Sequence, residues 1–184
     1  MRRTLLLASL FALATAWPAA AALVNGSFEP APGAAPPGMA IPGWLASPDG
    51  IAWVSAGGED VAAPSGDWMV SLAGGPARAG TLEQRFVTTP GQTYDLLFWL
   101  GSRGGGEGRA ELGVDVAGVS RTLALDNPAP ELLWQAQVVT FTATAPVTRL
   151  RFRGESRTGE SEAWLDGVVV RPAASAMAGP REAR

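Results

Sequence analysis

At 184 residues, with a formal net charge of −3 and neither His nor Cys, the chain is one domain's worth of sequence that must hold together without disulfides. Every basic residue is Arg. Without His, Cys or Lys, a Ser-His-Asp triad, a Cys nucleophile, a Ser-Lys dyad, a Schiff base and a conventional zinc site cannot be built, and the negative charge speaks against a nucleic-acid or anionic-membrane partner. Residues 1–22 read as a secretory signal: Arg2 and Arg3 form a basic head, residues 5–16 an apolar run too short to span a bilayer, and Ala19, Ala20, Ala21 and Ala22 a cleavage site. The mature protein then begins near Leu23, is secreted to the periplasm or beyond, and keeps no membrane anchor.

Next comes Leu23-Val24-Asn25-Gly26-Ser27-Phe28-Glu29, a β-type run that ends in a carboxylate. Residues 30–39, rich in Pro, Ala and Gly, read as an extended loop. Strands are predicted over residues 51–55, 68–73, 81–88, 93–101, 110–117, 120–125, 134–143, 147–154 and 163–171, with almost no helix. Turn signals separate them: Gly74-Gly75-Pro76, Pro90-Gly91-Gln92, Asp126-Asn127-Pro128 and Ala145-Pro146. Several strands alternate cleanly. Leu112, Val114 and Val116 share one face while Glu111 and Asp115 share the other; Leu150 and Phe152 oppose Arg149, Arg151 and Arg153. About nine or ten short strands with alternating faces predict an antiparallel two-sheet sandwich over residues 23–172. Residues 173–184 are small and polar and read as a disordered tail. Gly104-Gly105-Gly106-Glu107-Gly108 lacks the Lys-Ser/Thr ending of a phosphate loop and reads as a hairpin tip.

Six tryptophans follow the signal, at 44, 53, 68, 99, 134 and 164, against one Tyr. A tryptophan face matches the C–H groups of a pyranose ring, and it fills a core equally well. Trp68 shares parity with Val70 and Leu72 and reads as core. Trp99 is ambiguous: it shares parity with Asp95 and Leu97, opposite Tyr94, Leu96, Phe98 and Leu100. Trp44 follows Pro-Gly on a loop, Trp53 lies in a short isolated strand, and Trp134 opens a strand. Trp44 and Trp53 are the expected sugar platform, with Asp49 and Asp67 as hydrogen-bonding acceptors placed on loops.

The motifs, taken together, resemble the DUF642 / choice-of-anchor C group of bacterial and plant cell-surface proteins. The resemblance rests on residues 23–29, Ile41-Pro42-Gly43-Trp44, Pro64-Ser65-Gly66-Asp67-Trp68, Leu82-Glu83-Gln84-Arg85-Phe86, Thr89-Pro90-Gly91-Gln92-Thr93-Tyr94, Phe98-Trp99-Leu100 and Trp164-Leu165-Asp166-Gly167-Val168. They occur in the family's order over nearly all of the mature chain. Gly167 departs from the pattern, standing where Asn or Asp is common. The group is similar, more distantly, to carbohydrate-binding modules of the galactose-binding jelly-roll fold. That likeness implies a secreted, non-catalytic domain whose partner is a polysaccharide or other glycan. It also implies a structural calcium between the first and last strands, for which Glu29 and Asp166 are the expected ligands. Two other readings remain: a structural or adhesive module working through protein contacts, and a glycosidase using two carboxylates across a cleft.

Overall fold

A computed structural model describes residues 22–32, 40–59, 62–73, 79–103, 109–156 and 162–174. The expected signal, except for Ala22, most of the Pro-rich loop, the glycine-rich tip at 104–108 and nearly all of the expected tail lie outside the described residues. The described residues form ten strands, β1 (Leu45–Ala46), β2 (Ile51–Ser55), β3 (Trp68–Leu72), β4 (Thr81–Val87), β5 (Thr93–Arg103), β6 (Arg109–Val116), β7 (Val119–Asp126), β8 (Leu133–Thr142), β9 (Val147–Gly154) and β10 (Glu162–Pro172), and one helical turn, α1 (Ala56–Glu59). They form two five-stranded sheets in the orders β1-β4-β9-β6-β7 and β2-β3-β10-β5-β8. Every pairing is antiparallel. The antiparallel two-sheet sandwich expected from the alternation, of the jelly-roll kind that the resemblance implied, is therefore the fold of this chain.

Period-two patterning places the core. Leu82, Gln84 and Phe86 of β4, Leu150 and Phe152 of β9, and Leu112, Val114 and Val116 of β6 are buried from one sheet. Tyr94, Leu96, Phe98 and Leu100 of β5 meet them from the other. The turn signal at 126–128 works through Asn127, a buried side chain that donates to the carbonyls of Ser102 and Glu131, 2.6 Å each, and accepts from the N–H of Ala129.

One expectation is corrected, and one short strand is added. Residues 23–29 are not a strand. Asn25 and Phe28 hold φ of 53° and 58°, which breaks extended pairing, and the segment instead runs beside β10, where the N–H of Val168 donates to the Gly26 carbonyl. The buried Gln84 fastens it by accepting from the N–H of Val24 and donating to the carbonyls of Val24 and Gly43. The short β1, which pairs with β4, escaped the sequence because two residues carry no periodicity.

Candidate functional site

Asn25 begins the site. Its left-handed backbone lets the side-chain amide donate to the carbonyls of Glu29 and Pro42 while its Oδ1 accepts from the N–H of Glu29. Its amide is thus committed within the fold, as a structural bracket. The bracket turns the Glu29 carboxylate toward the loop before β3. There Glu29 Oε1 accepts from the N–H groups of Asp67 and Trp68, at 2.9 and 3.0 Å. Gly66, just before them, has φ of +78°, and a Cβ there would stand 2.2 Å from Glu29 Oε1. We expect Gly66→Ala to cost about 2 kcal/mol or more, since a left-handed conformation penalises any other residue and the clamp has no room for a methyl; a shift in urea midpoint would measure it.

Asp166 holds the same loop from β10. Its side chain is fully buried. Oδ2 accepts from the N–H of Ser65 at 2.7 Å, and Oδ1 from the N–H of Gly167 at 2.6 Å. Burial pushes its pKa up to about 7; the two N–H donors pull the other way, and the nearby charge of Glu29 adds to the rise. So the structure brings the two expected carboxylates onto one loop, residues 65–68. Among the described residues no third acidic or histidine side chain joins them in a metal-binding group. In charge the pair suits a cation, since a desolvated carboxylate beside a like charge calls for a positive ion or a proton. Calcium takes six to eight oxygens; each carboxylate keeps lone pairs, and backbone carbonyls and water would have to complete the shell.

The register of β5 with its two neighbours builds a surface next to this clamp. Three rows cross the outer face of the second sheet: Val138–Leu97–Val169, Ala136–Trp99–Asp166 and Trp134–Gly101–Trp164. Trp99 is 38% exposed, with Val138 at 58% and Val169 at 51%. The β10 ladder slips between Asp166 and Val169, and Gly167 sits in that bulge with φ of +58°. A Cβ there would lie 3.0 Å from Trp99 Cδ1 and 3.4 Å from the Ser65 Cβ. The glycine that departs from the family pattern therefore leaves room for the Trp99 indole beside the clamped loop. Trp134 is half-buried, its Nε1 donating to the Ala62 carbonyl. Trp164 is buried, with the Arg103 guanidinium 5.5 Å over its ring.

The residues expected to form the platform lie elsewhere. Trp44 is 8% exposed, packs on Phe28 and Phe152, and donates its Nε1 to the Asn25 carbonyl. A loop tryptophan after Pro-Gly proves to be core because the 41–44 turn folds inward over the sandwich. Trp53 is half-buried against Trp68, ring centroids 4.9 Å apart, with its Nε1 on the Phe28 carbonyl. Asp49 is exposed in the β1–β2 turn, where its carbonyl accepts from the Ser47 hydroxyl. Asp67 is exposed and serves the Glu29 clamp through its N–H. These four do not make one platform. The signal for Trp99 was its parity on β5, opposite the four residues that fill the core.

Residues 21–171 match the family model described as "Protein of unknown function (DUF642)". No curated protein matches the chain. Among solved structures, the chain is similar to TmCBM61, described in complex with β-1,4-galactotriose: 17% identity, 80% of this chain and 92% of that one covered, TM-score 0.52. It is also similar to a CBM4 structure, at 15% identity, 83% and 100% coverage and TM-score 0.50. At these identities the likeness establishes a shared β-sandwich fold.

Proposed function

We propose that this chain, which belongs to the DUF642 family, is an exported, non-catalytic module that binds a glycan across the outer face of its second sheet. One observation carries the reading: Trp99 stands exposed in the middle of that face, with small Ala136 beside it and Trp134 on the next row. Diagonal neighbours in an antiparallel pair lie about 7–8 Å apart, a spacing that suits stacking along a sugar chain. The likeness in fold to carbohydrate-binding modules supports it. Catalysis is disfavoured because Asp166 is fully buried and both it and Glu29 are occupied by backbone N–H groups. A structural calcium on Glu29 and Asp166, holding the 65–68 loop against Trp99, belongs to the same proposal.

Retention on immobilised polysaccharides tests it. Trp99→Ala should weaken binding by one to two decades, since an aromatic stacking partner is worth about 1–3 kcal/mol in the comparable case of bases on aromatic side chains, and leave the melting temperature nearly unchanged. Unaltered retention would place the site elsewhere. A second reading, a protein-docking module, is favoured by the exposed Val138 and Val169 on either side of half-buried Leu97. It takes over if the wild type retains no glycan. Export is checked separately: protein recovered outside the cytoplasm should begin near Leu23.

A further inference from the structure

The outer face of the first sheet is chemically opposite to that of the second. Its rows, read across β4, β9 and β6, are Arg85–Arg149, Glu83–Arg151–Asp115 and Thr81–Arg153–Gly113. Every outward position of β9 from 149 to 153 is arginine. The middle row carries one arginine between two directly opposed carboxylates and so has one negative charge to spare. Arg153 pairs with Glu155. The remaining row sets two arginines directly opposite each other, an arrangement that costs stability when no anion compensates it. Among the described residues Glu83, one row away, serves both: it pairs with Arg149, and its Oε1 lies 3.9 Å from Arg85 Nε; the charge of Asp115 also acts on Arg149. The Arg149 guanidinium holds the Glu83 carboxyl below its ordinary range. The Arg85 side chain is 71% exposed and that of Arg149 54%. A hollow of about 380 Å³ opens beside Arg149, lined by Arg149, Arg151, Thr144, Val147, Gly118 and Asp115.

We infer that this arginine row is a second binding site, for the anionic groups of an acidic polysaccharide. One carboxylate or sulfate reaching both guanidiniums would offset the like-charge row that Glu83 compensates only in part. The site is local, because the chain as a whole is acidic. It also lies on the face away from Trp99, so one molecule could hold a neutral glycan on one side and an acidic one on the other.

The test uses the purified protein on two probes, a polyuronate and a sulfated glycan, at low and at physiological salt. The wild type should retain at least one of them, less at higher salt; whichever is held more tightly identifies the anion. Arg85→Gln with Arg149→Gln should weaken retention tenfold or more. Glu83→Gln should strengthen it, because it frees both guanidiniums. Trp99→Ala should leave it unchanged. The site is rejected if neither polyanion is retained at low salt, if the double arginine variant binds as well as the wild type, or if Glu83→Gln weakens binding while the protein stays folded. Since neutral-glycan binding is read on a separate probe through Trp99, either reading can fail without the other.

Discussion

The metal-free protein should lose stability as the pH rises from about 4 to about 7, and calcium should restore it most at the upper end. The cause is Asp166. Its folded pKa is raised to about 7 by burial, whereas an unfolded Asp titrates near 3.9. Between these values the folded state keeps a proton that the unfolded chain has released, so stability falls across the window and levels off above it. Calcium held by Glu29 and Asp166 would displace that proton, so its binding should tighten with rising pH. Melting curves at pH 5 and pH 8, with chelator and with calcium, read both effects. Asp166→Asn should flatten the pH slope and remove the calcium response. Asp166→Ala should be worse than Asn, because it leaves the part-buried N–H groups of both Ser65 and Gly167 without an acceptor, where Asn leaves one, each worth about 1–3 kcal/mol when unpaired. A melting temperature that rises between pH 5 and pH 8 in chelator would reject the account of Asp166, and indifference to calcium at pH 8 would reject the metal.

Trp44→Ala should be among the most damaging single changes in the fold, at about 3–5 kcal/mol. That is a large share of the 5–15 kcal/mol typical of a domain. The indole joins the N-terminal segment, through Phe28 and the Asn25 carbonyl, to Phe152 of β9, with ring centroids 5.4 and 6.3 Å away. Its loss empties a volume that rigid strands cannot close. Trp44→Phe should cost clearly less. Urea midpoints of the two variants beside Trp99→Ala check the ranking, with Trp99→Ala expected within about 0.5 kcal/mol of wild type, as for a surface substitution. If Trp44→Ala is as mild as Trp99→Ala, the core assignment of Trp44 is wrong.

The strands were legible because alternation reports directly which side of a sheet meets water. Leu112 with Val114, and Leu150 with Phe152, give their faces away at once. The 23–29 segment misled because its apolar residues mimic a strand, while its left-handed Asn25 and Phe28 are tertiary consequences of the bracket to Pro42 and Glu29. The carboxylate pair came from the resemblance, carried by the motifs that contain Glu29 and Asp166. The tryptophans divided by the same logic. Trp99 sits inside a long periodic strand, so parity could place it outward. Trp44 sits in a turn, where no period exists and only the folded path of the chain decides whether a ring meets core or solvent. The bulge at Gly167, which seats Trp99, depends on register between β5 and β10, and register is invisible in one strand read alone.

The six indole N–H signals of the folded domain in a ¹⁵N-correlated NMR spectrum, assigned by Trp→Phe variants and followed during titration with an oligosaccharide that the protein retains, test the glycan-face claim most directly. The signals of Trp99 and Trp134 should move with added sugar, while those of Trp44, whose Nε1 is held by the Asn25 carbonyl, and Trp53, held by that of Phe28, stay in place. Movement confined to Trp44 and Trp53, or no indole shift at saturating sugar, would contradict it.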